Sequence, residues 1–267
     1  MHNTRPYQPT LFIQMTVCLH FLCLIITILL PQLWVWTLGA IIFNHFIITI
    51  NGLWPRSHWL GPNWTQLPTS AVTKNQIALT IDDGPDPEVT PKVLEILDSH
   101  NAKATFFCIG EKAVRHPILC REIIQRGHAI ENHSQQHRHN FSLLGMKGFK
   151  REIEAAQHTL TDITAQCPLF FRAPAGFRNP FLEPVLAQLG LTFVSWTARG
   201  YDTQTNNAGQ VKNKLLAKLQ AGSILLMHDG NAARTPQGVP VILEVLPDIL
   251  KSAKSLKLHF VTLRQTL

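Results

Sequence analysis

The distribution of apolar residues divides the chain into two parts. Near the amino terminus, two long apolar runs, Leu11 to Leu30 and Leu33 to Ile50, are separated by Pro31-Gln32. The first run is long enough for a helix to cross the hydrocarbon core of a bilayer, and the second just reaches that length. From about residue 75 onward, short apolar runs alternate with longer amphipathic segments, which predicts alternating strands and helices.

Strict alternation of strands and helices predicts a mostly parallel sheet with helices packed outside it, either an α/β barrel or a doubly wound sheet. In both folds the chemistry gathers at the carboxyl ends of the strands. Helices are predicted near residues 91–100, 112–126, 146–165, 181–189, 207–220 and 238–255. The predicted strands run from Ile77 to Ile81, Ala104 to Ile109, His128 to Glu131, Leu169 to Arg172, Thr192 to Trp196, Ser223 to His228 and His259 to Leu263.

The charge distribution assigns an environment to the first part. No Asp, Glu, Lys or Arg lies between Arg5 and Arg56. A globular surface of that length needs charges for solubility, so the stretch predicts a lipid environment. We therefore predict a transmembrane helical hairpin within residues 1–52, with helices at about 11–30 and 33–50, a linker on the membrane surface over residues 53–74, and an α/β domain over residues 75–267. One span with a re-entrant second segment, and a cleaved signal peptide, remain alternatives.

The basic residues indicate which partners the protein could bind and on which side of the membrane its α/β domain lies. The formal net charge is +7, but Lys and Arg are dispersed through the α/β part, which argues against nucleic-acid binding and leaves attraction to anionic lipid headgroups. Two membrane crossings would place the amino terminus and the domain on the same side, and the positive-inside rule applied to Arg5 and Arg56 favours the cytoplasm. A single span or a cleaved signal would place the domain outside.

Two adjacent carboxylates, Asp82 and Asp83, follow the first predicted strand and precede Gly84-Pro85. Neighbouring carboxylates at a strand end are costly unless a cation or hydrogen-bond donors neutralise them. Taken alone, the pair is better explained by an acidic turn with both side chains in water. The residues that follow the third predicted strand change this balance.

His133 and His137 follow that third strand and stand four residues apart. A helical turn beginning near His133 would place both imidazoles on one face, close enough to hold one metal ion. Together with one of the two aspartates they would form a three-ligand set with open positions, the layout of a catalytic zinc site. The same set describes the two-histidine, one-carboxylate site of non-haem iron oxygenases.

Three further clusters favour a hydrolase over an oxygenase. Arg172 ends the fourth predicted strand, where its guanidinium could pair with a carboxylate. Asp202 follows the fifth strand and His228 ends the sixth. A carboxylate beside His228 would keep the imidazole protonated and able to donate a proton. A hydrolase that expels an amine needs such an acid, and an oxygenase does not.

Taken together, these five clusters resemble the polysaccharide deacetylases of carbohydrate esterase family four, which share the NodB homology domain. The match covers about residues 75–267 and follows the motif order of the family. The resemblance implies a distorted (β/α)7-type barrel, a divalent metal, usually Zn²⁺, and hydrolysis of N-acetyl groups on the amino sugars of a polysaccharide, glycan or glycolipid. Residues 75–267 would then be the catalytic domain of a metal-dependent enzyme that acts on carbon-nitrogen bonds other than peptide bonds.

The resemblance also implies roles for the residues at the first three clusters. Asp83, His133 and His137 look like the metal ligands. Asp82 looks like the catalytic base that takes the proton of the attacking water. Arg172 is similar in position to the arginine that orients the base carboxylate.

Five more positions carry over in the same way. His228 looks like the general acid and Asp202 like the acidic residue that tunes it. Leu226 corresponds to the apolar residue that receives the acyl methyl group, and Trp196 to an aromatic residue of the pocket wall. The backbone N–H near Ala175 corresponds to a donor for the tetrahedral oxyanion.

Two positions depart from the family pattern. Ala175 and Thr203 stand where an aromatic residue is common, so surface for stacking on a sugar is lost. Together with the predicted hairpin, this favours a lipid-linked saccharide over a long polymer. Two alternatives stay open: an amino-sugar deformylase acting on a lipid carrier, indicated by a small pocket around Leu226, and an inactive glycan-binding membrane protein, expected to have lost a ligand or the base.

Overall fold

The computed structural model describes residues 4–267 of the chain, and eight parallel strands flanked by helices form the greater part of it. The strands are β1 (Gln76–Asp82), β2 (Ala104–Cys108), β3 (Ala129–Asn132), β4 (Phe170–Phe171), β5 (Thr192–Phe193), β6 (Ala198–Arg199), β7 (Ile224–His228) and β8 (His259–Phe260). The helices are α1 (Leu11–Leu29), α2 (Trp34–Leu53), α3 (Thr69–Val72), α4 (Thr90–Ser99), α5 (Gly110–Arg115), α6 (Pro117–Gln125), α7 (Met146–Thr164), α8 (Leu182–Leu189), α9 (Ala208–Leu216) and α10 (Val241–Ser255).

The strands pair in the order β5-β4-β3-β2-β1-β7-β6, and β8 pairs with the start of β1. The predicted α/β fold with a parallel sheet is therefore confirmed, as a distorted barrel that is open between β5 and β6. Register is decisive for the site, because Asp82 at the end of β1 lies opposite His228 at the end of β7 and Phe107 of β2. The topology thus brings together two residues that are far apart in the sequence.

The opening in the barrel explains where strand prediction failed. A single strand was predicted from Thr192 to Trp196, but β5 ends at Phe193 and the unpredicted β6 begins at Ala198. Between them, Ser195 donates its backbone N–H to the Trp64 carbonyl at 2.8 Å instead of continuing the sheet. The predicted strand therefore changes partner halfway, which its own apolar pattern does not reveal.

Residues 53–74, the predicted linker, pack into this opening. Trp64 pairs with Val194 beyond β5, and Gln66 pairs with Ser223 just before β7. The Trp64 ring lies 5.3 Å from the Phe170 ring, and Leu67 is buried. This segment is consequently bonded to both sides of the barrel opening.

The two amino-terminal helices form an antiparallel hairpin. Polar side chains join them, with Thr16 donating to Asn44 at 3.3 Å and the Thr27 and Thr37 hydroxyls 2.8 Å apart. Most of their apolar side chains are exposed. Both helices are long and apolar enough to cross a membrane, a property that a signal sequence near an amino terminus shares. Between helices in lipid, such polar pairs favour association.

Both ends of the hairpin are bound to the α/β domain. At the start, the Arg5 guanidinium pairs with Glu183 of α8. At the end, the Arg178 backbone N–H donates to the Gly52 carbonyl at 3.0 Å. The Arg178 guanidinium also donates to the carbonyls of Ser57 and Gly61 in the segment that follows α2. The hairpin and the domain therefore form one packed unit.

The contact at Gly52 gives a first prediction. A Cβ at this position would lie 2.3 Å from the Arg178 carbonyl oxygen, whereas a Cβ at Gly39 of the same helix would meet nothing within 4 Å. We expect Gly52→Ala to cost about 1–3 kcal/mol in free energy of unfolding, because such overpacking forces the backbones apart. Gly39→Ala should be neutral or stabilising by about 0.5–1 kcal/mol, as alanine favours helix.

Thermal unfolding of the detergent-solubilised chain and proteolysis within residues 54–63 would measure both effects. Gly52→Ala should lower the melting temperature and expose that segment to protease. Equal behaviour of the two alanine variants would show that the hairpin is not held at Gly52.

Candidate active site and metal centre

A pocket of about 350 Å³ opens at the carboxyl ends of the strands, a size within the usual range of ligand sites. All three predicted metal ligands, the predicted base and the predicted acid line it. Its walls also include the three residues expected to contact substrate. The lining residues are Asp82, Asp83, His133, His137, His139, Ala175, Gly176, Trp196, Arg199, Thr203, Gln204, Leu226, His228 and Asn231.

Asp83, His133 and His137 offer donor atoms that all lie within 4.8 Å of one another. Asp83 Oδ1 is 3.1 Å from the Nε2 atoms of both His133 and His137. Ligand atoms at zinc-binding distance from one ion, in tetrahedral arrangement, lie roughly 3.3 Å apart. Two imidazoles, one carboxylate and space on the pocket side therefore fit a divalent cation in a site of the catalytic type.

The helical turn predicted at His133 is wrong, although the two histidines do meet. Residues 133–137 form a loop in which Ser134 and His137 have positive φ values of 65° and 50°. The Ser134 hydroxyl accepts the His137 backbone N–H at 2.9 Å, and this bond closes the loop. The rings lie 4.9 Å apart as a result. Backbone strain at a functional site, held by surrounding bonds, replaces the expected helix.

Neighbouring groups orient the ligand atoms. The His133 Nδ1 atom lies 2.8 Å from the Arg172 carbonyl oxygen, and donation to that carbonyl orients the ring so that Nε2 faces Asp83. Asn231 donates to Asp83 Oδ2 at 3.1 Å, and Lys112 donates to the Asp83 carbonyl. Burial tends to raise the pKa of Asp83, but hydrogen bonds from the two histidines hold it well below its usual value. Asp83 is therefore present as a carboxylate.

Asp82 is held by a fully buried arginine. Arg172 Nη1 donates to Asp82 Oδ1 at 2.6 Å and to the Thr80 hydroxyl at 2.9 Å. Its Nη2 donates to the Ser195 carbonyl, and its guanidinium lies 4.2 Å from the centre of the Phe107 ring. The second carboxylate oxygen, Oδ2, lies 3.8 Å from His133 Nε2 and thus faces the three-ligand cluster.

His228, on the strand next to that of Asp82, is paired with Asp202. Its Nδ1–H donates to Asp202 Oδ1 at 2.9 Å, and its backbone N–H donates to Asp202 Oδ2 at 2.7 Å. Burial tends to lower the pKa of His228, but the Asp202 carboxylate raises it above the usual value, with further contributions from Asp82 and Asp83. The imidazolium is thus stabilised, with Nε2 free to face the pocket.

This pairing gives a second prediction, on pH dependence. If protonated His228 supplies the proton, activity falls as pH rises through its pKa. Asp202→Asn removes the charge that raises this pKa, so the alkaline limb of the kcat/KM profile should move to lower pH. A pH series on both proteins measures the shift, and an alkaline limb at the same pH in both would contradict this role for Asp202.

The remaining predicted residues form the wall. Leu226 of β7 and Trp196 are buried at the pocket surface, and Ala175 adopts a φ of 55° there. A Cβ at Gly176 would lie 2.7 Å from both Pro55 and the Trp196 ring, so the segment after α2 touches this wall. The end of the hairpin therefore lies directly behind the candidate acyl-binding side of the pocket.

Sequence reasoning missed six lining residues: His139, Gly176, Arg199, Thr203, Gln204 and Asn231. His139 lies two positions beyond the proposed ligand His137, in the loop that follows β3. Arg199 stands between two predicted site residues, Trp196 and Asp202, and this spacing was the available signal. Thr203 had been noted only as a departure from the family pattern.

Comparisons with known proteins agree with this fold. The family model described as polysaccharide deacetylase matches residues 69–194. A chitooligosaccharide deacetylase of Azorhizobium caulinodans is 38% identical over 162 residues, which cover 60% of this chain and 77% of that protein. A peptidoglycan-N-acetylglucosamine deacetylase of Listeria monocytogenes is 36% identical over 159 residues, 60% of this chain. The chain spans only about a third of the length of this Listeria relative, with 33% covered.

Solved structures give the same result. A peptidoglycan N-acetylglucosamine deacetylase in complex with a benzamide compound is 28% identical, with a TM-score of 0.69 over 77% of this chain and 92% of that one. A family 4 acetyl xylan esterase from Clostridium thermocellum, in complex with a cobalt ion, is 29% identical, with a TM-score of 0.63 over 72% of this chain and 89% of that one. The chain belongs to the polysaccharide deacetylases of carbohydrate esterase family four, a class of hydrolases that includes enzymes acting on the amides of amino sugars.

Proposed function

We propose that this protein is a membrane-anchored, metal-dependent deacetylase that hydrolyses the N-acetyl group of an amino sugar. One observation carries the proposal: a three-ligand cluster stands in one pocket between a carboxylate fixed by a buried arginine and an imidazole fixed by a buried carboxylate. The named activities of the relatives on N-acetylglucosamine in peptidoglycan and on chitooligosaccharides support the same reaction. The residues that we assign as metal ligands and base are all present, whereas an inactive glycan-binding protein is expected to have lost at least one of them.

The side chains divide the reaction between them. A divalent cation held by Asp83, His133 and His137, which we propose to be Zn²⁺, would polarise the amide carbonyl and lower the pKa of water. Asp82, with one oxygen held by Arg172, accepts the proton of the attacking water through the other oxygen.

The second half of the reaction needs an acid and an oxyanion donor. His228, kept protonated by its carboxylate partner, donates its Nε2 proton to the departing amine as the carbon-nitrogen bond breaks. We assign oxyanion donation to the backbone N–H of Ala175, and contact with the acyl methyl group to Leu226 and Trp196. Free amino sugar and acetate are the products.

We further propose that the sugar is carried on a lipid. The segment after α2 lies against the pocket wall through Pro55. Three residues further along, His58 and Trp59 line a mostly apolar groove of about 890 Å³ between α1 and α2. A groove of this chemistry suits a lipid chain, and its position suits a chain attached to a sugar in the pocket. We also propose that the domain lies on the cytoplasmic side, because the positive-inside rule favours that side for Arg5 and Arg56.

Two measurements test these proposals separately. The purified, zinc-loaded chain should release acetate from a lipid-linked N-acetylglucosamine, and more slowly from chitin oligomers. Release from neither would contradict a deacetylase, and release of formate alone from formylated analogues would support the deformylase instead. A strong preference for the oligomers would contradict only the lipid-linked substrate.

A further inference from the structure

Arg199 is a pocket residue that the mechanism above does not use. It ends β6, opposite Leu226 of β7, and its half-buried side chain lines the pocket. Its guanidinium carbon lies 5.5 Å from the centre of the Trp196 ring and 5.2 Å from that of Tyr201. These two rings position a permanent positive charge at the side of the pocket formed by β6 and the turn after it.

The guanidinium of Arg199 lacks the partners that the other buried arginines have. Its Nε atom is buried without a hydrogen-bond partner, and it forms no ion pair with any carboxylate in residues 4–267. By contrast, Arg172 donates to a carboxylate, a hydroxyl and two carbonyls, and Arg178 donates to three carbonyls. A buried donor without a partner is costly, so an unpaired guanidinium facing a binding pocket indicates a place for an anionic ligand.

The neighbouring groups match one kind of anion. Thr203 and Gln204, on the turn after β6, line the same side of the pocket and can donate from a hydroxyl and an amide. Asp202, the carboxylate of this turn, is buried and already bonded to His228. Lys214 lies 4.6 Å from the centre of the Tyr201 ring, but it does not line the pocket and is not part of this group of donors. Several donors around a guanidinium suit a phosphoryl group, which offers several oxygens in tetrahedral arrangement.

We propose that Arg199, with Thr203 and Gln204, forms a phosphoryl-binding subsite, so that the substrate carries a phosphate beside the acylated sugar. The inference rests on the proposed deacetylase function and narrows its substrate class. The phosphate can belong to a soluble glycosyl phosphate or to the link between a sugar and a lipid carrier. Both sources share the chemistry that the subsite recognises.

The test compares three substrates with the same acetylated sugar. These are a neutral methyl glycoside of N-acetylglucosamine, N-acetylglucosamine 1-phosphate, and N-acetylglucosamine linked through phosphate to a lipid in detergent micelles. The full-length, zinc-loaded chain should have a higher kcat/KM on both phosphorylated substrates than on the neutral one. A further gain on the lipid-linked substrate over the soluble phosphate would identify the lipid as the source.

Three variants distinguish the effect of the Arg199 guanidinium on substrate preference from the effect of positive charge in general. Arg199→Gln should lower the ratio of kcat/KM for phosphorylated over neutral substrate roughly 10- to 100-fold, chiefly through KM, because a charge-assisted hydrogen bond is lost. Arg199→Lys should recover part of the ratio. Lys214→Gln removes the same charge from the other side of Tyr201, outside the pocket lining, and should leave the ratio within about twofold because exposed charges are screened.

Calorimetry on proteins that also carry Asp82→Asn compares the affinities for the neutral and phosphorylated sugars without turnover. A protein that hydrolyses none of the substrates would contradict the deacetylase, while tighter binding of the glycosyl phosphate, lost in Arg199→Gln, would still support the subsite. Equal affinity and equal kcat/KM for the neutral and phosphorylated sugars would overturn it. A preference for the phosphorylated sugar that Arg199→Gln leaves unchanged would also overturn the subsite.

Discussion

Replacing Asp82 by asparagine should reduce kcat by about 10²- to 10⁴-fold while the protein still binds its metal. The amide keeps the shape of the side chain but cannot accept a proton, and removal of a general base has effects of this size. Asp82 is held by Arg172 at 2.6 Å and is not one of the three clustered ligands. Acetate release and metal content, measured on the same preparation by elemental analysis, test the two halves of the prediction.

The adjacent carboxylate provides the matched control. Asp83→Asn changes the same functional group one position further on, but it removes a charged ligand whose Oδ1 lies 3.1 Å from both imidazoles. We expect this variant to lose both metal and activity. If Asp82→Asn lost the metal and Asp83→Asn kept it, the roles of the two residues would have to be exchanged.

Replacing Arg172 by methionine should lower the free energy of unfolding by about 3–5 kcal/mol, the usual cost of leaving a buried charge without its partner. The side chains of Arg172 and Asp82 are each exposed by no more than a few per cent, so water cannot solvate the carboxylate that loses its partner. For a domain of this size the change corresponds to a fall of roughly 6–20 °C in Tm. Activity should fall with it, because the orientation of Asp82 is lost.

A double variant isolates the electrostatic part of this effect. Asp82→Asn combined with Arg172→Met loses the same bonds to Thr80 and Ser195 but leaves no unpaired charge. It should therefore be more stable than Arg172→Met alone, a coupling that thermal unfolding of the four proteins measures. Equal stability of the double variant and Arg172→Met would show that the buried carboxylate carries no penalty.

The sequence permitted prediction of the parallel α/β fold and of the meeting point of its polar clusters. The reason is physical: parallel strands end at one edge, so Asp82, Arg172 and His228, each at a predicted strand end, had to lie near one another. The register between β1 and β7 then places Asp82 opposite His228. The length of the two uncharged apolar runs likewise predicted two helices whose bounds are close to those observed, Leu11–Leu29 and Trp34–Leu53.

Other features depended on backbone geometry that side-chain patterns do not encode. Ser134 and His137 adopt positive φ values that are unusual for residues other than glycine, and a neighbouring hydroxyl stabilises them, so the histidine spacing suggested a helix that does not form. The pairing of Trp64 with Val194 is a long-range contact between segments without a shared pattern. Asn231 belongs to no motif of its own, and only its place in the pocket distinguishes it.

The attachment of the hairpin at both of its ends has a consequence for how substrate is found. Because Arg5 is bound to Glu183 and Gly52 to Arg178, the domain cannot move away from the hairpin without breaking these contacts. In a bilayer, the pocket would be kept at a constant height just above the lipid headgroups. Encounters would then take place by lateral diffusion, a search in two dimensions, and molecules further from the surface than the pocket would stay out of reach.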